Sequence, residues 1–245
     1  MTPILRTYRF NDHILQVSSD YIQKNPSQIR KTLFSDRKAE QSSFAFIGSV
    51  AAGSREARQQ AKDRAVRSAL EEIAALQKEA KVFLIGRYHH NMPEGIRTLA
   101  RDYPLLKLEY YTAHRVKGMT CDYAIILDVN SGILGFPSEI ADDPLLGYLL
   151  QEGDRFENAE ERRVFYVAIT RARHKNFMLY NTLSPSKFLS EIMDAEDAND
   201  LTEKCPDCAG QLIERKGPYS EFLGCSNYPH CNFKKIIKNN ETINA

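Results

Sequence analysis

The chain has 245 residues, a formal net charge of +1, 42% hydrophobic and 27% charged residues, a composition that suits one sizeable folded domain plus a small module. So balanced a charge excludes a global electrostatic attraction to nucleic acid, and any such attraction must be local. The opening MTPILRTYRFNDH lacks the apolar core of a signal peptide, no apolar run reaches membrane-spanning length, and four of the five cysteines cluster near the C-terminus; a cytoplasmic protein without a membrane partner is expected.

Leu15, Val17, Tyr21 and Ile22 predict a first helix over 11–24, and 43–48 reads as a short strand. A long helix follows over 54–80, with Ala65, Ala69, Leu70, Ile73, Ala74 and Leu76 as its apolar stripe. Next come a strand over 82–86, a helix over 93–102, a strand over 107–111 and a fully buried strand over 123–129. A helix over 160–173, a strand over 176–180 and a closing helix near 185–193 complete the series. Such alternation predicts an α/β domain with a mainly parallel sheet over 1–193. Residues 194–204 are polar, acidic and aperiodic and read as a linker, leaving 205–238 as a separate module.

The helix over 160–173 is the most informative segment. Asn158 is read as its cap, with Glu161 completing a capping box. Val164, Phe165, Val167, Ala168, Ile169 and Ala172 share one apolar face, while Arg162, Arg163, Tyr166, Thr170 and Arg173 gather opposite. Arg171 is the misfit, projecting from the edge of the apolar face. A guanidinium there needs an anionic partner, either a structural carboxylate or a ligand, because burying it alone is costly.

Residues 160–173 read E-E-R-R-V-F-Y-V-A-I-T-R-A-R. They resemble the sixth motif of superfamily 1 helicases of the UvrD/Rep kind, E-E-R-R-L-x-Y-V-A-x-T-R-A. The resemblance implies that Arg171 is an arginine finger reaching the γ-phosphate of ATP, where a planar guanidinium neutralises charge spread over phosphoryl oxygens. Residues 112–123, T-A-H-R-V-K-G-M-T-C-D-Y, lie between two predicted strands, where α/β folds carry ligand-binding loops. They resemble the family's fifth motif, T-x-H-x-x-K-G-L-E, which implies Thr112 and His114 near single-stranded DNA and Gly118 and Thr120 near the nucleotide. Thr120 stands where a glutamate usually contacts the ribose; its hydroxyl can still hydrogen-bond there, without charge assistance. Sequences of the DNA helicase IV branch also lack that glutamate, and Arg87-Tyr88-His89-His90 is similar to the same branch. Residues 4–10, I-L-R-T-Y-R-F, resemble the fourth motif, L-x-x-N-Y-R-S. The adenine-stacking tyrosine and the γ-phosphate arginine of that motif map onto Tyr8 and Arg9, with Thr7 and Phe10 replacing the usual asparagine and serine. Larger relatives insert a subdomain between the fourth and fifth motifs, whereas 37–81 holds one strand and one long helix, as the helicase IV branch does.

No G-x-x-x-x-G-K-[ST] occurs in these 245 residues, and no aspartate–glutamate pair closes an apolar strand. The resemblance over 1–193 therefore implies the second RecA-like domain of such a motor, a P-loop NTPase fold. ATP and Mg2+ would be held mainly by a P-loop-containing first helicase domain, supplied in trans or present in an intact homologue, and the chain alone is expected to be inactive.

Cys205, Cys208, Cys225 and Cys231 give C-x2-C-x16-C-x5-C. Four thiolates in two close pairs suit structural, tetrahedral Zn2+; two disulfides, or His230 in place of Cys231, are the alternatives. The segment further resembles the C-terminal zinc-finger repeat of bacterial type IA topoisomerases, which implies binding to single-stranded DNA. Tyr219, Phe222, Tyr228 and Phe233 are then candidate stacking platforms, with Arg215, Lys216, Lys234 and Lys235 as phosphate contacts. Phe222 and Phe233 are expected to pack around the metal instead. Two functions follow: part of an ATP-dependent DNA helicase, or a non-catalytic, single-stranded-DNA-binding zinc protein derived from a truncated one.

Overall fold

The computed structural model describes residues 6–29, 33–50, 54–139, 156–201, 205–207, 212–217, 221–225, 228 and 231–236. Cys208, Tyr219 and His230 lie outside the described residues. The chain divides into two compact units, Met1–Ala195 and Glu196–Ala245.

In the first unit the elements are β1 (Arg6–Thr7), α1 (Asp12–Gln23), β2 (Phe34–Ser35), β3 (Phe44–Ser49), α2 (Arg55–Leu76), β4 (Ala80–Gly86), a 3-10 turn (His89–Asn91), α3 (Ile96–Asp102), β5 (Leu106–Thr112), β6 (Cys121–Ile126), α4 (Ala159–Ile169), β7 (Ala172–Asn181) and the first part of α5 (Lys187–Leu201), which runs on past Ala195. Five strands form one sheet in the order β3-β7-β6-β4-β5, and every pairing is parallel. A separate parallel pair joins β1 to β2.

The near-continuous apolar runs of the inner strands follow from burial on both faces. Successive residues alternate between two cores. Phe83, Ile85, Ala124, Ile126 and Met178 join α1, α4 and α5 residues such as Ile14, Val17, Tyr21, Phe165 and Phe188. Val82, Leu84, Ile125, Leu127 and Phe177 pack with Val66, Leu70 and Ile73 of α2 and Leu99 of α3. Each large side chain buried so contributes about 1.5–3 kcal/mol. Gly86 closes β4 because a Cβ there would meet the Tyr110 hydroxyl at 2.5 Å and Asn91 at 2.6 Å.

The structure corrects several local expectations. The stripe of α2 is Ala61, Ala65, Val66, Ala69, Leu70 and Ile73, while Ala74 and Leu76 are exposed near its end. Closing helix α5 continues to Leu201, through most of the segment read as a linker. Helix α4 stops at Ile169, so Arg171 and Arg173 lie beyond it. Asn158 precedes α4 in the left-handed region (φ 53°) and makes no side-chain cap, and Glu161 is engaged elsewhere. Among the described residues no helix is long and apolar enough to cross a membrane.

The second unit holds an antiparallel three-stranded sheet, β10-β9-β8, from β8 (Leu212–Lys216), β9 (Glu221–Cys225) and β10 (Lys234–Ile236). Its small core is Cys205, Leu212 and Cys225, with Leu223, Cys231 and Phe233 packed against them.

Candidate nucleotide and nucleic-acid site

Thr170 and Arg171 form the turn between α4 and β7. The Thr170 hydroxyl donates to the Tyr166 carbonyl (2.8 Å) and the Arg171 amide to Ala168 (3.2 Å), which tightens and ends the helix. The Arg171 side chain folds inward and is 5% exposed. Nε donates to the Val167 carbonyl at 2.7 Å, Nη2 to the Thr170 hydroxyl at 3.0 Å and Nη1 to the Met119 carbonyl at 3.3 Å. All three acceptors are neutral. No carboxylate among the described residues pairs with this guanidinium. Burial first, and the charge of Arg9 second, hold it down to about 10 from 12.5.

Two other arginines hold carboxylates in bidentate pairs. Arg162, expected on the polar side of α4, is 3% exposed and doubly bonded to Glu191 of α5 at 2.5 and 2.9 Å. The rings of Tyr21, Phe188 and Phe156 surround its guanidinium at 4.7, 5.1 and 5.3 Å. Glu161, expected in a capping box, instead takes Arg87 in a fork of 2.6–3.1 Å and accepts the Ser138 amide at 3.0 Å. That fork joins the Arg87-Tyr88-His89-His90 run to the start of α4. The partners of Arg162 come from α1, α5 and Phe156 ahead of α4, so a face-by-face reading of the helix passes over them.

The charge of Arg9 acts on Arg171 because Asn11 pins the segment before α1. Asn11 Oδ1 caps α1 at the Ile14 amide (2.9 Å), and Nδ2 donates to the Ser43 hydroxyl (2.8 Å) and the His174 carbonyl (2.9 Å). Its amide donates to the Arg173 carbonyl at 3.3 Å, beside the entry of β7. Tyr166 shares the site: burial raises its phenol, and Arg171 and Arg9 both act against that rise. Tyr8 and Arg9 are exposed to solvent. The turn before β6 completes the group, since the Cys121 amide donates to the Arg171 carbonyl at 3.1 Å and the Met119 carbonyl binds its guanidinium. Thr120 lies between these two contacts. Gly118 holds φ 86°, with nothing within 4 Å of a Cβ, so its backbone conformation and not crowding calls for glycine.

Thr112 and His114 lie elsewhere. Thr112 ends β5 at the carboxyl edge of the sheet, whereas Arg171 and Thr120 sit at the amino edge, a strand length of about 20 Å away. Thr112 is buried, and its carbonyl accepts the Arg115 and Val116 amides at 2.9 and 3.1 Å. His114 is exposed and lines a groove of about 540 Å³ between α1, α4 and the turn after β5, together with Lys117, Arg163 and Tyr166.

In the second unit, the ligand atoms of Cys205, Cys225 and Cys231 lie within 4.8 Å of one another, and the Cys205 and Cys231 sulfurs are 3.7 Å apart. Two thiolates on one tetrahedral zinc at about 2.3 Å are roughly 3.8 Å apart, and a disulfide is about 2.05 Å. The described cysteines thus fit a metal and are free of disulfides. Phe233 packs against this cluster, as expected. Tyr228 is 53% exposed with the Arg215 guanidinium 5.6 Å from its ring centre, and Lys234 lies 5.4 Å over Phe222. Lys234 and Lys235 are exposed.

Residues 98–182 match the family described as UvrD-like helicase C-terminal domain, and residues 202–240 match the Topoisomerase DNA binding C4 zinc finger. The chain is 33% identical over 191 residues to DNA helicase IV of Escherichia coli (strain K12), which covers 78% of this chain and 26% of that protein. It is 38% identical over 59 residues to DNA topoisomerase 1 of Campylobacter jejuni, covering 23% of this chain and 8% of the topoisomerase. The solved C-terminal domain of a possible DNA helicase from Lactobacillus plantarum WCFS1 superposes with a TM-score of 0.42 at 12% identity, over 78% of this chain and 96% of that one. The chain thus spans about a quarter of the length of DNA helicase IV. It combines a UvrD-like helicase C-terminal domain, homologous to that of DNA helicase IV, with a topoisomerase-type C4 zinc ribbon.

Proposed function

We propose that these residues supply the arginine-finger half of an ATP site and a single-stranded-DNA surface to a DNA helicase. One observation carries the reading. Arg171 is buried beside a second cation, Arg9, and is bound only by neutral oxygens. Such a site lowers its own energy when a multiply charged anion enters, which is what a γ-phosphate offers. Tyr8 would stack on adenine, Arg9 and Arg171 would neutralise phosphoryl charge, and Gly118 and Thr120 would approach the nucleotide. Mg2+ and the remaining phosphate contacts would come from a P-loop domain, because these residues include no such motif. Thr112 and His114 would meet single-stranded DNA at the opposite sheet edge. Tyr228, Lys234 and Lys235, with Tyr219, would bind it on the ribbon, whose Cys205, Cys225 and Cys231, with Cys208, would hold structural Zn2+. The setting we assign is the cytoplasm.

The test is DNA-stimulated ATP hydrolysis by this chain, alone and mixed with a P-loop-containing first helicase domain. Hydrolysis should need both partners and fall by at least ~10³-fold in Arg171→Ala. Hydrolysis by the chain alone, or a mixture indifferent to Arg171→Ala, overturns the reading.

A further inference from the structure

The carboxyl edge of the five-stranded sheet carries a second cleft, of about 480 Å³, where β3, β7, β6 and β4 end against α2. Arg55, Arg58, Gln59 and Lys62 of α2 line one wall. Their spacing of i, i+3, i+4 and i+7 sets three cations and an amide on one helix face. Glu56 and Asp63 are not in the lining, although Asp63 accepts from Gln59 at 3.0 Å and Glu56 acts on the charges of Arg55 and Arg58. The one carboxylate in the lining, Asp128, is already satisfied by Lys62 at 2.6 Å and Asn91 at 2.8 Å. Arg55 pairs with Glu94 at 3.0 Å through side chains 83% and 63% exposed, a contact an incoming anion can displace at little cost. Arg58 makes no ion pair among the described residues. Across the cleft stand Ile133 and Leu134, 62% and 47% exposed, and the ring of His90, which is held in a stack on Tyr88 at 5.3 Å.

We propose that this cleft is a further contact for single-stranded DNA, with Arg55 and Arg58 on phosphates and Ile133, Leu134 and His90 against bases. A cationic wall facing an apolar and aromatic one complements the two halves of an unpaired nucleotide. Continuity supports the same ligand. Thr112 and His114 share this edge of the sheet, and four strand spacings of about 4.8 Å put the far end of the cleft, at β3, roughly 19 Å from β5. The His114 groove opens on the α1–α4 face and this cleft on the α2 face, so one strand that engages both crosses the edge between them. This inference rests on the DNA-binding reading above.

The experiment titrates a fluorescein-labelled oligothymidylate of about 15 nucleotides into the full zinc-loaded chain at several salt concentrations, reading anisotropy. Arg55→Ala/Arg58→Ala should bind more weakly and flatten the slope of log K against log salt by about 1.4, two phosphates at ~0.7 each. Both arginines are exposed, so far-UV circular dichroism should be unchanged. With 5-iododeoxyuridine in the oligonucleotide, photo-crosslinking should map to His90 or to Tyr180, which also lines the cleft. A wild-type chain that fails to bind at any salt overturns the DNA reading itself. Binding with an unchanged slope in the double variant, or crosslinks confined to the ribbon, overturns the cleft and leaves that reading standing.

Discussion

Arg162, two residues before the apolar stretch Val164–Ile169, and Arg171, two residues after it, should respond to the same substitution in opposite ways. Arg162→Met removes one half of the buried pair with Glu191 and strips three rings of their cation. Glu191 keeps some water and a second contact to Lys24 at 3.6 Å, so the expected loss sits at the low end of the range for a broken buried pair, about 3 kcal/mol. Arg171→Met differs. The fall of the Arg171 guanidinium from 12.5 to about 10 corresponds to roughly 3 kcal/mol against the charged form, of which about half should survive screening near Arg9. Three hydrogen bonds to neutral acceptors disappear with it and offset much of that gain. The net expectation is a domain between unchanged and about 1 kcal/mol more stable, a Tm shift of up to ~4 °C. Urea denaturation followed by far-UV circular dichroism, in phosphate-free buffer, measures both variants. Sulfate should stabilise the wild type, by about 1.4 kcal/mol at tenfold its Kd, and leave Arg171→Met unmoved. If Arg171→Met is as damaging as Arg162→Met, and sulfate does not distinguish wild type from variant, Arg171 is a structural residue and the anion-site argument is refuted.

Other expectations follow from single features. Native mass spectrometry should find one zinc per chain, and a chelator should abolish amide-exchange protection in β9; protection that outlasts the metal would contradict a metal-dependent ribbon. Gly118→Ala should cost about 1–2 kcal/mol in urea denaturation through its φ of 86° alone, and Gly118→Asn less, since neither meets a neighbour. The buried Cys121 thiol is pushed up to about 12, chiefly by burial, while the unfolded chain releases this proton near 8.5. The folded state then holds more protons above that value, so stability should fall as pH rises through it, by about 1.4 kcal/mol at pH ~9.5. Cys121→Ala should flatten that slope; an identical slope would exclude Cys121 as its source.

Much of the fold was legible because inner strands of a parallel sheet are apolar on both faces, as Val82-Phe83-Leu84-Ile85 and Ala124-Ile125-Ile126 are. Helix ends were less so. The capping box at Asn158 and Glu161 obeyed a local rule, yet a bidentate arginine 74 residues away outcompeted the cap. The face drawn for α4 put Arg162 in water, because periodicity counts a long cationic stem as polar when rings and Glu191 can bury it.

By itself, the sequence determined the strand–helix alternation, the four-cysteine spacing and the family motifs around Tyr8, Thr112 and Arg171, since each is a local pattern of side-chain period or ligand spacing. Only the tertiary structure decided that Arg87 and Arg162 have carboxylates and that Arg171 does not. The partners of Arg87, Arg162 and Arg171 lie 74, 29 and 52 residues away or across a turn. Charge neutralisation in a folded chain is a property of packing, and no window of sequence contains it.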